Sequence, residues 1–117
     1  MELVKNNIFR LDKPLPNPWE PEVFDVILKS ENIKIQRIIS NGNTGPKDGW
    51  YDQDFDELVF LMKGQAVLEF EDRPLIRLFE GDYLFIPAHV LHRVKQTSTI
   101  PHCVWLAIYF KNFNFIL

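Results

Sequence analysis

One cysteine, three histidines and five glycines are scattered through 117 residues, and these scarcities already exclude a good deal. Cys103 has no second cysteine to bridge to, so no disulfide forms within the chain, and a reducing, cytoplasmic setting is the expectation. In its apolar surroundings Cys103 reads as a small core residue rather than a reactive thiol. Lys and Arg occur in no block, and the net charge is −3. A nucleic-acid footprint needs clustered basic residues, so none is expected. No apolar run approaches the roughly 20 residues that cross a bilayer. The first seven residues also lack a basic region followed by an apolar stretch, so neither a membrane partner nor a signal peptide is expected. Internal repeats and low-complexity tracts are absent.

Hydrophobic residues make up 46% of the chain and charged residues 25%, with ten phenylalanines to fill a core. This length suits one domain, because two half-sized cores would bury too little to stabilise themselves. Four of the eight prolines, Pro14, Pro16, Pro18 and Pro21, fall in residues 1–21. Proline lacks an amide donor and disfavours helix in the residue before it, which predicts an extended arm, anchored by burial of Trp19. Val23, Phe24, Ile27 and Leu28 follow helical spacing, predicting one short helix within 22–29. Residues 1–31 are therefore expected to form an arm and helix, and 32–117 a β domain. From Asn32 onward, short apolar or alternating runs are separated by turn signals every eight to twelve residues or so: 33–39, 58–62, 66–70, 75–79, 83–86, 91–96 and 103–110. That rhythm predicts an all-β sandwich or barrel. The apolar end, Phe113 to Leu117, is expected to dock on its own subunit or a second copy, and a homodimer is the expectation.

Chemistry concentrates in two stretches. One runs Gly81-Asp82-Tyr83-Leu84-Phe85-Ile86-Pro87-Ala88-His89-Val90-Leu91-His92. The other is Trp50-Tyr51-Asp52-Gln53-Asp54-Phe55-Asp56-Glu57, closed by Gly64. Glu57 heads an apolar strand, so its carboxylate should be buried, and a buried carboxylate needs a cation, a donor or a proton. His92 alternates in phase with Val94 and should point inward as ligand or base. Asp52, Asp54 and Asp56 form either a solvated acidic loop or part of a site. Arg37 shares an alternation face with Ile33, Ile35 and Ile39, the expected interior. A guanidinium there must pair with a carboxylate, Glu57 for instance, or with a substrate anion. Trp50, Tyr51, Tyr83 and Trp105 are read as pocket walls or core.

These two stretches resemble the motifs of the cupins, small double-stranded β-helix (jelly-roll) barrels. The family's first motif has a His-any-His pair, then three or four residues, a glutamate, six residues and a glycine; Glu57 and Gly64 match its end. Its second has a glycine, five residues, Pro-any-Gly, two residues and a histidine. Gly81, Pro87 and His92 match, while His89 stands where glycine is usual. In place of the histidine pair this chain has Trp50 and Asp52 on the longer spacing, or Tyr51 and Gln53 on the shorter. The resemblance implies a site at the barrel mouth with a divalent metal (Zn, Mn, Fe or Ni) held by some of Asp52, Gln53, Glu57, His89 and His92. It also implies a small organic ligand near Arg37, Trp50, Tyr51, Tyr83 and Trp105, with Glu57 and His92 in the proton-exchanging roles. Three readings remain open on the residues: a metal-dependent enzyme of dioxygenase or isomerase type, a binding module without turnover, and a metal-free sugar isomerase.

Overall fold

The computed structural model describes residues 1–111 and residue 116. Among them are eight strands and no helix: β1 (Val23–Lys29), β2 (Ile33–Ser40), β3 (Asp56–Lys63), β4 (Ala66–Phe70), β5 (Arg73–Leu78), β6 (Tyr83–Ile86), β7 (His92–Thr97) and β8 (Cys103–Phe110). The described residues contain no helix long and apolar enough to cross a membrane.

The strands form two antiparallel sheets, one ordered β1-β2-β8-β3-β6 and the other β5-β4-β7. This is the all-β barrel that the strand rhythm predicted, with the jelly-roll form that the cupin resemblance implied. β8 lies at the centre of the larger sheet, pairing with β2 from Ile33↔Phe110 to Ser40↔Cys103 and with β3 from Asp56↔Phe110 to Lys63↔Val104. Its near-continuous apolar sequence follows from that position. Cys103, Val104 and Ala107 are fully buried. The inner faces interdigitate through Val59, Leu61, Leu68, Phe70, Ile86 and Trp105, and burial of their apolar surface is the main force closing the barrel.

Three expectations are corrected here. Residues 23–29 form strand β1, not a helix, paired antiparallel to β2 through a short reversal in which Ser30 N donates to Ile33 O at 2.8 Å. Val23, Val26 and Ile27 are β-branched and favour a pleated surface. An irregularity between Val26 and Leu28 shifts the alternation, which is why the spacing mimicked a helix. Trp19 does not anchor the arm, being 82% exposed. Asn43, buried at 1% exposure, takes that role by donating its amide to the carbonyls of Asn17 (2.9 Å) and Glu20 (2.6 Å). Arg37 turns away from the barrel interior. Its guanidinium pairs with Asp25 on β1 at 2.7 Å and donates to the carbonyls of Ile8 and Arg10. The apolar face Ile33-Ile35-Arg37-Ile39 is thus the outer face of β2, and Lys34, Gln36, Ile38 and Ser40 carry the inner one. Of the apolar C-terminal segment, Phe113, Asn114, Phe115 and Leu117 lie outside the described residues.

Candidate functional site

Between the two sheets lies a cavity of about 220 Å³, small beside the roughly 300–1,000 Å³ of pockets that hold drug-sized ligands. β3 supplies Glu57 and Val59, β7 supplies His92 and Val94, β8 supplies Trp105 and Tyr109, and β2 supplies Lys34 and Ile38. The 41–55 connection closes one side because it pairs with β7: Tyr51 N donates to His92 O at 2.8 Å, and Val94 N to Gly45 O at 2.8 Å. That pairing brings Tyr51, Gln53 and Phe55 to the cavity wall. Tyr51 and His92 hold their rings 5.7 Å apart.

Glu57 and His92 face each other at its polar end. Both are buried, 6% and 5% exposed, with His92 Nε2 4.0 Å from Glu57 Oε1. His92 Nδ1 sits 2.8 Å from Val90 O, and a carbonyl only accepts, so Nδ1 carries the hydrogen and Nε2 presents a lone pair to the cavity. Burial holds the His92 imidazole below its ordinary 6.5, against the opposing effect of that backbone bond. Burial also pushes the Glu57 carboxyl from 4.5 up to about 7, with nearby Glu22 adding to the rise; the Gln53 amide, which donates to it at 3.1 Å, and Lys34 oppose it. The pair is therefore no ion pair. Near neutrality a large share of the carboxyl is still protonated, beside a largely neutral imidazole: a proton donor and a proton acceptor close enough for one ligand oxygen to touch both.

A second polar chain borders the cavity. Trp105 Nε1 donates to Ser40 Oγ at 2.9 Å, and the Ser40 hydroxyl bonds the Glu22 carboxyl, which burial pushes above its usual range despite that bond. Burial likewise raises the Tyr109 phenol, whose oxygen accepts from Gln36 Nε2 at 3.1 Å.

The structure sorts the residues singled out from sequence into two groups. Gln53, Glu57, His92, Tyr51 and Trp105 line the cavity together. Asp52, His89, Arg37, Trp50 and Tyr83 do not. Asp52 and His89 pair with each other at 2.7 Å on the surface, their side chains 57% and 65% exposed, so they are not gathered with Glu57 and His92. Trp50 lies under the Arg93 guanidinium at 4.2 Å, Tyr83 packs on Phe60 outside the barrel, and Arg37 is committed to Asp25. The two motif spacings left open by sequence are resolved by this placement: Tyr51 and Gln53 point where Trp50 and Asp52 do not. Glu22, Lys34, Phe55 and Tyr109 are cavity residues that sequence reasoning missed. Lys34 was within reach, since reversing the phase of β2 places it inward.

Among the described residues no group of three or more His, Cys, Asp or Glu side chains is placed to hold a metal. Catalytic metal sites of the zinc type use about three protein ligands. At the cavity's polar end only His92 and Glu57 are of the ligand types such sites use, with the neutral Gln53 amide beside them, and two fall short of that set.

Comparison with known proteins agrees with this architecture. A family profile described as "Cupin domain" matches residues 42–109. A crystal structure from Ralstonia eutropha JMP134, of a protein whose name suggests a mannose-6-phosphate isomerase, is 38% identical with a TM-score of 0.83, over 92% of this chain and 98% of that one. An acireductone dioxygenase from Heterostelium pallidum is 28% identical over 80% of this chain and 73% of its own length. The uncharacterized protein YdbB of Bacillus subtilis (strain 168) is 32% identical over 62 residues, so this chain spans about half of that relative, 55% of its length.

Proposed function

The chain belongs to the cupin domain family, and on that premise we propose that its barrel cavity receives a small organic molecule with which Glu57 and His92 exchange a proton. The observation that supports this most is the buried Glu57 carboxyl 4.0 Å from an imidazole nitrogen that holds a free lone pair, with burial pushing that carboxyl up to about 7. A carboxylic acid and a neutral imidazole at one end of an apolar cavity suit an α-hydroxycarbonyl compound. Glu57 gives its proton to the carbonyl oxygen while His92 Nε2 takes one from the adjacent carbon, leaving an enediol. His92 then returns its proton to the former carbonyl carbon while the Glu57 carboxylate takes the proton of the other enediol hydroxyl, which becomes the new carbonyl. This completes an isomerisation and restores both groups. General acid and base groups of this kind are worth about 10²–10⁴ in rate.

The test is incubation in D₂O with small α-hydroxycarbonyl compounds, including mannose 6-phosphate, to which the Ralstonia relative's name points. Deuterium is expected to enter carbon next to the carbonyl of at least one of them, and Glu57→Gln to slow that entry about 100-fold or more. A compound that raises the unfolding temperature yet takes up no deuterium on long incubation would leave binding without turnover, and the proton-exchange reading would fail.

The likeness to an acireductone dioxygenase favours a second, metal-dependent reading, in which Gln53, Glu57 and His92 would be the donors. Because that set falls short, purified protein exposed to Zn²⁺, Mn²⁺, Fe²⁺ or Ni²⁺ and then desalted is expected to retain well under one equivalent by elemental analysis. One full equivalent, lost in His92→Ala with folding kept, would establish the metal reading instead.

A further inference from the structure

We propose that Lys34 is the anion anchor of the cavity, and that the ligand is a small organic monocarboxylate whose far end, bearing a hydroxyl or carbonyl oxygen, reaches Glu57 and His92. The proposal rests on the reading that this cavity binds a small molecule, and it adds the ligand's charge and class.

Lys34 is the one Lys or Arg side chain lining the cavity among the described residues. It sits on the inner face of β2, directly opposite Tyr109 of β8, with its ammonium 4.9 Å from the centroid of the Tyr109 ring. Among the described residues it forms no ion pair with a carboxylate. Lys34 is half-buried with its ammonium against a ring face, and an arriving anion supplies the contact partner that no carboxylate provides. Burial moves both of the cavity's acids, Glu22 and Glu57, toward their neutral forms, which lessens their repulsion of that anion.

The chemistry of the walls narrows the class. Phe24, Phe55 and Trp105 line the cavity and suit an apolar organic body. Phosphate sites characteristically add forked Arg donors or a helix N-terminus to their charge. Here a single ammonium stands alone, and the described residues contain no helix. One positive charge matches one negative charge. A phosphate dianion would leave its second charge without a cationic partner among the lining residues.

Three probes measured by titration calorimetry at pH 6.5 test this: benzoate, its neutral analogue benzyl alcohol, and inorganic phosphate. Wild-type protein is expected to bind benzoate at least 10-fold more tightly than either of the others, and Lys34→Met to abolish that preference while still binding benzyl alcohol. Equal affinity of the wild type for benzoate and benzyl alcohol, or an undiminished preference in a folded Lys34→Met, would overturn the anchor and leave the cavity reading standing. Phosphate bound as tightly as benzoate would overturn the monocarboxylate class. Failure of all three to bind would overturn the cavity reading together with this one. The wild-type comparison decides even if Lys34→Met does not fold.

Discussion

Glu57→Gln is expected to make the protein more stable at pH 8, by about 3 kcal/mol, while leaving its stability near pH 4.5 little changed. The cause is the displacement of the Glu57 carboxyl from 4.5 to about 7 in the folded chain. At about 1.4 kcal/mol per pH unit this amounts to about 3 kcal/mol, an order-of-magnitude figure. The direction follows from proton counting. Between 4.5 and about 7 the folded protein holds a proton on Glu57 that the unfolded chain has released. Stability from this group is therefore complete below 4.5 and is lost as the pH rises through about 7. Glutamine keeps the shape and the polar atoms but cannot ionise, so the variant escapes that loss.

Urea unfolding at intervals from pH 4.5 to 8 measures it. The wild-type profile carries contributions from other groups as well. Glu22 acts in the same sense as Glu57, because its carboxyl is also raised. His92 acts in the opposite sense, since an imidazole held below 6.5 costs stability as the pH falls. The difference between wild type and Glu57→Gln cancels most of both and isolates Glu57. Parallel profiles for the two proteins would show that the carboxyl is not shifted, and with it would go the acid half of the proposed pair. A stabilising substitution that also removes proton exchange would mark position 57 as one where function is kept at the expense of stability.

The parts of this site legible in the sequence are those encoded within a few residues. Pro87 and the five-residue step to His92 define a local turn and strand, and the phase of His92 with Val94 places both inward, as the cavity lining shows. Glu57 could be read as buried because apolar residues follow it immediately. What was not legible depends on partners distant in sequence. The inner face of β2 carries Lys34, which lines the cavity, Gln36, bonded to the Tyr109 phenol, and Ser40, bonded to Trp105 and Glu22, while Ile33, Ile35 and Ile39 face outward. The N-terminal arm bonds to the same outer face through Arg37. A rule that puts apolar residues inward inverts such a strand. β1 was obscured by its irregularity at Ile27. Asp52 and Gln53 are adjacent and both polar, and only the pairing of the 41–55 connection with β7 decides which one enters the barrel.

Gly64→Ala is expected to cost about 3 kcal/mol or more, and Gly81→Ala about 1 kcal/mol, although the two glycines share nearly the same backbone conformation. Gly64 has φ +94° and Gly81 φ +91°, both in the left-handed region that a Cβ disfavours, so both replacements carry a similar strain. Their surroundings differ. Around Gly81 an added methyl would meet nothing within 4 Å. At Gly64 it would lie 2.8 Å from Cys103 Sγ, 2.9 Å from Ser98 Oγ and 2.9 Å from the His102 carbonyl oxygen. None of these yields easily. Cys103 is fully buried, Ser98 Oγ is tied to Gln65 N and Pro101 O, and the His102 oxygen belongs to the backbone where β8 begins. Relief requires moving the β3–β4 connection away from the 98–103 turn, which disturbs the strands that carry Glu57 and Leu68 into the cavity. Denaturant unfolding of the two variants in parallel separates strain from crowding. Equal losses would mean that the close approach at Gly64 contributes nothing, and that conformation alone accounts for glycine at both positions.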